Sequence, residues 1–299
     1  KIIQDFTNYT ETVVKALGDR VKNWITLNEP WVTSVLGNFL GIHAPGKKSP
    51  FAFTRTVHNQ LLAHGSSVRT IRGHVADANI GIALNLMPTY PMENTEKDRK
   101  AAEMANQFIN RLFLHPLFKG SYPEPLWKKF RFFTPKIKQG DMDLVAEDID
   151  FLGINYYTRE KVSYKWTVPF IHAKIGDQSV PEREGFHGGA ERTDMGWEIY
   201  PEGIYEITKM VHDEYTEKPI YITENGAAFQ DRVENGKVHD EKRISFLKSY
   251  LREIERAVKD GIPIKGYFLW SLMDNFEWAY GLSKRFGIVH IDYETRKRI

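Results

Sequence analysis

Five short, apolar, β-branched runs are spaced along this chain, with longer stretches of helical periodicity between them. The runs are Val21 to Leu27, Asn79 to Met87, Phe151 to Tyr157, Ile220 to Thr223 and Ile264 to Leu272. They are nearly continuous in hydrophobicity, the pattern of strands covered on both faces. Apolar residues recurring at three and four predict the helices. Phe6, Tyr9, Val13 and Leu17 make one, closed by Gly18. Ser49-Pro50 opens another, carried by Val57, Leu61, Val68 and Ile71. A third runs from Thr95 through Met104, Phe108 and Leu112, and a fourth from Glu202 to Tyr215. The clearest spans Asp240 to Asp260, with Ile244, Leu247, Leu251, Ile254 and Val258 as its apolar stripe. Gly261 ends it and Pro263 blocks its continuation. Strand alternating with helix predicts an α/β fold built on a parallel sheet.

Polar residues gather where the strands end: Asn28-Glu29, Asn85, Asn155, Glu224-Asn225 and Asp274-Asn275. In a barrel of parallel strands that end carries the active site. A doubly wound open sheet fits the alternation too, but no glycine-rich strand-to-helix turn marks a nucleotide site. Two of the polar residues stand in matching surroundings. Glu29 closes Trp24-Ile25-Thr26-Leu27-Asn28-Glu29-Pro30, and Glu224 closes Ile220-Tyr221-Ile222-Thr223-Glu224-Asn225-Gly226. One strand-end glutamate is ordinarily half of a surface ion pair. Two, each at the end of a buried run, suit chemistry that needs paired carboxyl groups, of which glycosidic bond cleavage is the foremost case.

Several function classes fall away. The net charge of +2 is spread without a basic block, so nucleic acid has no electrostatic footprint. No apolar run approaches ~18 residues, which predicts no membrane span. There is no cysteine, hence no disulfide or thiolate metal site. His58 and His64 face different ways on their helix, and no His-Glu-x-x-His or Gly-x-Ser-x-Gly pattern occurs; no metal site and no cofactor are expected. Aromatic residues make up 13% of the chain, enough for a large core and also for a pocket with flat walls that suit pyranose faces. No repeat or linker divides residues 1–299, which predicts one domain. Lys161 to Gly196 reads as a long insertion, with Gly185-Phe186-His187-Gly188-Gly189 as a mobile loop. A cytoplasmic location is the expectation.

Four segments occur in order: Thr26-Leu27-Asn28-Glu29-Pro30, Asp150-Phe151-Leu152-Gly153-Ile154-Asn155-Tyr156-Tyr157-Thr158, Ile222-Thr223-Glu224-Asn225-Gly226 and Trp270-Ser271-Leu272-Met273-Asp274-Asn275-Phe276-Glu277-Trp278. Together they resemble the family 1 retaining β-glycosidases, typified by β-glucosidase. Asp194-Met195-Gly196-Trp197-Glu198-Ile199-Tyr200-Pro201 and Ser283-Lys284-Arg285-Phe286-Gly287 add to the match. Asn-Glu-Pro alone would be weak, since it recurs in related barrel enzymes; four segments in order are specific.

The resemblance implies a (β/α)8 TIM barrel of which this chain carries about strands 4–8. It implies Glu224 as nucleophile and Glu29 as acid/base, with β-glucosides as substrates and β-galactosides and β-fucosides as further ones. Asn28 would meet the sugar 2-hydroxyl, Asn155 would line the pocket, and Tyr157 would hold Glu224 by a hydrogen bond. Trp270, Glu277 and Trp278 would form the glycone platform and hydroxyl clamp, and Trp31 and Trp197 the aglycone walls. His43 is a turn histidine that can also line the entrance. Glu277 argues against 6-phosphorylated sugars, whose enzymes in the family carry a serine there; a carboxylate would repel the phosphate. The resemblance also implies that three βα units are absent, and with them the Gln, Arg and His-Trp used around the sugar. The expectation is a piece of a larger enzyme, completed by a complementary N-terminal fragment. The competing reading is a non-catalytic fragment or sugar-binding remnant.

Overall fold

The computed structural model describes residues 1–176 and 191–299. The expected mobile loop at Gly185 to Gly189 lies outside the described residues. Helix α1 (Ile2–Leu17) precedes β1 (Asn23–Asn28); α2 (Pro50–His74) precedes β2 (Asn79–Asn85) and the short β3 (Thr89–Pro91). Then come α3 (Glu96–Asn106), α4 (Leu112–Lys119), the short α5 (Glu124–Trp127) and α6 (Asp141–Val145), and β4 (Phe151–Asn155). Next are β5 (Glu160–Tyr164), β6 (Ala173–Ile175), α7 (Glu202–Glu214) and β7 (Ile220–Asn225). The hairpin β8 (Val233–Glu234) and β9 (Lys237–Val238), α8 (Glu241–Lys259) and β10 (Ile264–Leu269) complete the order.

The main sheet is all parallel, in the order β1-β2-β4-β7-β10. Spatial order follows chain order, so no switch point interrupts it. A doubly wound sheet reverses its order at such a point, and that alternative is excluded. Successive parallel neighbours are the wall of a βα barrel. The middle of the wall is dry: every residue of β4 is buried, as is β2 after its first residue. The outer strands are wetter. Ile25 on β1 is 45% exposed and Phe268 on β10 is 57% exposed. Neither strand has a neighbour on its outer side among the described residues. β3, β5 and β6 form a separate small sheet packed on α3.

Two expectations change. The helix from Thr95 to Leu112 runs unbroken on to Lys119, but it is not α throughout, because a π-helical turn at Gln107–Arg111 joins α3 to α4. The buried Asn110 on that turn accepts from the Met87 amide (3.0 Å) and donates to the Met87 carbonyl (2.9 Å), tying the wider turn to the end of β2. The apolar stripe of α8 does not face the core as a whole. Phe246, Tyr250, Ile254, Ala257 and Arg243 are buried, whereas Ile244 is 49% exposed and Leu251 and Val258 are also exposed. Two aromatic rings and an ion-paired guanidinium outweigh the aliphatic stripe: Phe246 stacks on Tyr250 at 4.0 Å, and Tyr250 meets Tyr156 at 6.0 Å. No helix of the described residues is long and apolar enough to cross a membrane.

Candidate active site

The polar residues at the ends of β1, β4 and β7 converge. The Asn155 side-chain amide donates to Glu29 Oε1 at 2.9 Å and to Asn28 Oδ1 at 3.0 Å. The Asn28 amide donates in turn to Glu224 Oε1 at 3.1 Å, and the Tyr157 hydroxyl donates to Glu224 Oε2 at 2.7 Å. The Thr223 hydroxyl donates to Asn155 Oδ1 at 2.5 Å and orients that amide. Glu29 and Glu224 are therefore joined through two asparagines, and Glu224 alone has the Tyr157 hydroxyl as a further donor.

Local backbone geometry makes this possible. The register of β1 against β2 shifts between Ile25 and Asn28, which turns the strand end. Glu29 then sits in the left-handed region at φ 47°, unusual for a residue with a Cβ, while its amide donates to Ala83 O at 2.9 Å. Backbone strain of this sort costs about 1–3 kcal/mol and collects at functional sites. A π-helical turn, Val32–Gly37, follows at once. At the end of β7, Gly226 lies so close to β10 that a Cβ would stand 1.8 Å from the Trp270 carbonyl oxygen. Only glycine lets the Trp270 carbonyl come this close to the residue two beyond Glu224.

The two carboxyl groups have different proton affinities. Burial chiefly, and then the charge of Glu224, raise Glu29 to about 7, against the opposing Asn155 hydrogen bond. Burial raises Glu224 as well, but hydrogen bonds from Tyr157, Asn28 and Asn155 pull the other way. Two close carboxyl groups disfavour the doubly charged state, so the pair favours one protonated and one charged member. Glu277 is also raised, by burial and by the charge of Glu224, so all three acids share one field.

The remaining sequence candidates surround this pair unequally. Trp197 packs on Tyr157 with ring centres 5.1 Å apart. Trp270 is held by its amide donating to Asn225 O at 2.9 Å. Glu277 is partly buried, and Trp278 beside it is 68% exposed, with His43 6.3 Å from it. Trp31 is tied into the scaffold: its indole N–H donates to Phe108 O at 2.9 Å, and its ring meets Phe108 edge-on. Sequence reasoning missed Thr223, and it missed Met195 and Phe286. These last two form a buried patch with Ala228, against which Tyr157, Trp197 and Trp270 pack. All three sit inside segments that carry the resemblance, but a strand threonine reads as β-propensity alone and the other two as core.

One cluster unites two acids and a histidine, Asp231, Asp274 and His290, whose ligand atoms lie within 4.8 Å of one another. Arginines already compensate it. Arg285 Nη1 donates to Asp274 at 2.5 Å and Arg243 Nη2 to Asp231 at 3.1 Å. The donor set is that of a buried ion-pair network.

Comparison with known proteins agrees with this geometry. The family described as Glycosyl hydrolase family 1 matches residues 1–299. A 1,4-beta-D-glucan glucohydrolase of Thermotoga neapolitana is 47% identical over 297 residues, covering 98% of this chain and 67% of that protein. Beta-glucosidase A of Thermotoga maritima is 47% identical over 296 residues, covering 98% and 64%. The solved structure of a Thermotoga maritima beta-glucosidase in complex with deoxynojirimycin superposes with a TM-score of 0.92 at 44% identity, over 100% of this chain and 65% of that one. The fold is thus that of the TIM barrel, of which the five parallel strands here form an arc. The chain spans about two thirds, 64–67%, of the length of these curated relatives.

Proposed function

Since this chain belongs to glycosyl hydrolase family 1, we propose that it supplies the catalytic face of a retaining exo-β-glycosidase acting on β-glucosides, and secondarily on β-galactosides and β-fucosides. The observation that carries this reading is the unequal pair: Glu29 raised to about 7 and Glu224 held by the Tyr157 hydroxyl, linked through Asn155 and Asn28. Glu224 attacks the anomeric carbon as a carboxylate. Glu29, protonated, gives its proton to the departing glycosidic oxygen. Ester formation removes the charge on Glu224, and with it the repulsion that kept the Glu29 proton in place. Glu29 then takes a proton from water, which attacks the glycosyl ester and frees Glu224. Two inversions give net retention.

In this reading Asn28 turns its amide from Glu224 to the sugar 2-hydroxyl, and Asn155 holds Glu29 in place. Glu277 clamps glycone hydroxyls, with Trp270 and Trp278 as the platform; Trp197 and Trp31 wall the aglycone side. A carboxylate at 277 repels a sugar phosphate, which favours unphosphorylated glycosides. The open outer edges of β1 and β10 fit a complementary N-terminal segment that adds parallel strands, and the greater length of the relatives supports that partner.

The test is hydrolysis of an aryl β-glucoside by the protein beside its Glu224→Gln variant, with product anomers followed by NMR. Release of the β-anomer first, lost in the variant, is the expected result. Turnover that survives Glu224→Gln, or an α-anomer as first product, overturns the reading.

A further inference from the structure

After β10 the chain makes an excursion that carries Glu277 and Trp278, and its base is a short parallel contact. Ser271 N donates to Phe286 O (3.2 Å), Ile288 N to Ser271 O (3.0 Å), Val289 N to Leu272 O (2.9 Å) and Asp274 N to Val289 O (3.2 Å). The base is very tight: a Cβ on Gly287 would lie 2.1 Å from the Asp274 amide nitrogen. Into this base points the side chain of Asp274, fully excluded from solvent. Its Oδ1 accepts from the Gly287 amide at 3.0 Å. Its Oδ2 accepts from the Ile291 amide at 3.1 Å and from Arg285 Nη1 at 2.5 Å, with His290 Nδ1 at 3.7 Å. The same Arg285 nitrogen donates to Ile291 O at 2.9 Å. From α8, the buried Arg243 donates to Arg285 O at 3.0 Å, to Ala227 O just beyond β7 at 3.2 Å, and to Asp231. One carboxylate thus pins both legs of the excursion, and two arginines connect it to the segment that follows Glu224.

We propose that Asp274 is a positioning residue for the sugar clamp: by joining the two legs at the base of the 270–291 excursion, it sets where Glu277 and Trp278 stand relative to Glu224. This rests on the glycosidase reading for its consequence in catalysis, though not for the anchoring itself. Asp274 is three residues from Glu277, and the tip has few anchors of its own. Glu277 N donates to Gly281 O at 2.7 Å, and Tyr280 N to Glu277 O at 2.7 Å. Both bonds are internal to the tip. At the root a charged acceptor takes three donors from the far leg, and Lys284 on that leg adds a tie to Asp194 O at 2.6 Å. Replacement by asparagine keeps the size and one acceptor oxygen, but it removes the charge facing Arg285 and turns a donor toward the Ile291 amide.

The experiment is a double-mutant cycle with Asp274→Asn and Glu277→Gln, read in kcat/KM on an aryl β-glucoside and accompanied by hydrogen exchange. If Asp274 acts through Glu277, Asp274→Asn alone lowers kcat/KM by roughly 100-fold, the scale of a misplaced binding group. In the Glu277→Gln background it then costs only about 3-fold, because the group being positioned is already gone. Equal losses in both backgrounds overturn the proposal, and so does an unchanged kcat/KM in Asp274→Asn. Hydrogen exchange decides the anchoring without reference to turnover. Amides of residues 276–282 should exchange faster in Asp274→Asn while those of β4 do not, and unchanged protection at 276–282 overturns the proposal. An inactive parent protein would count against the glycosidase reading, and the exchange result would still decide whether Asp274 anchors the excursion.

Discussion

Replacing Tyr157 with phenylalanine removes one hydrogen bond from Glu224, the proposed nucleophile, and leaves the ring in place. The ring is well supported, with Trp197 at 5.1 Å and Phe286 at 6.3 Å, so the pocket wall should persist. The lost bond is the 2.7 Å contact from the Tyr157 hydroxyl to Glu224 Oε2, whose acceptor is the charged form of the acid. A hydrogen bond to a charged group contributes about 1.5–3 kcal/mol. At ~1.4 kcal/mol per pKa unit, Glu224 should rise by roughly 1–2 units. The direction follows from the balance at the site: burial already raises Glu224, and Tyr157 is the first of the hydrogen bonds that oppose it. The assay is the pH profile of kcat/KM on an aryl β-glucoside. In the proposed mechanism its acid limb reports ionisation of Glu224 in the free protein, and its alkaline limb reports loss of the Glu29 proton near 7. In Tyr157→Phe the acid limb should move up by about one unit or more while the alkaline limb stays, narrowing the bell from one side. A loss of activity uniform in pH, with the acid limb unmoved, would refute the reasoning, because the tyrosine would then not be stabilising the carboxylate.

Other outcomes are equally direct. Glu29→Ala should fail most on poor leaving groups; on an activated aryl glycoside, added azide should restore turnover and yield the β-glycosyl azide, and an α-azide would rule out a retaining site. His64 is fully buried, with Nδ1 paired to the Thr26 hydroxyl at 2.7 Å and Nε2 without a partner among the described residues, and burial lowers it to about 4. Its neutral form is favoured in the fold, so that stability is complete above pH ~6.5 and falls as the pH drops from there toward 4, by up to about 3 kcal/mol. Urea titrations at pH 7 and pH 4.5 should show that loss in the parent and much less of it in His64→Gln. Arg243→Ala should destabilise the fold by about 3–5 kcal/mol, because Asp231 is left buried without its counter-charge; a melting temperature equal to the parent's would contradict the ion-pair reading of that cluster.

The parallel sheet and the two glutamates were legible because both signals are local. A buried parallel strand is a continuous apolar run, and a carboxylate after it has nowhere to pack. The face of α8 was not legible: Ile244, Leu251 and Val258 satisfy helical periodicity as well as Phe246 and Tyr250 do, and what packs against the helix decides between them. The π-helical turn at Gln107–Arg111 escaped for a similar reason, since an extra residue in a turn is fixed by the long-range bonds of Asn110 to Met87. Trp31 matched a wall residue by type, yet the bond from its indole to Phe108 shows that it also braces the scaffold. Asp274 stood in the motif, but its role depends on the Gly287 and Ile291 amides brought to it by a later stretch of chain.

The two ends of the proposed mechanism are not equally durable. Glu224 stands on β7, bonded on both sides within the sheet, while Glu29 follows β1 in the left-handed backbone region, at φ 47°. Backbone held in a sparsely populated region persists only while its surroundings over-determine it, so it is released early when they loosen. Under mild denaturant or modest heating, the proton donor should be lost from a growing fraction of molecules that still hold their nucleophile. Such a population would cleave activated aryl glycosides and spare alkyl ones, so a partly frayed preparation would show a changed leaving-group preference before it showed any loss of its central sheet.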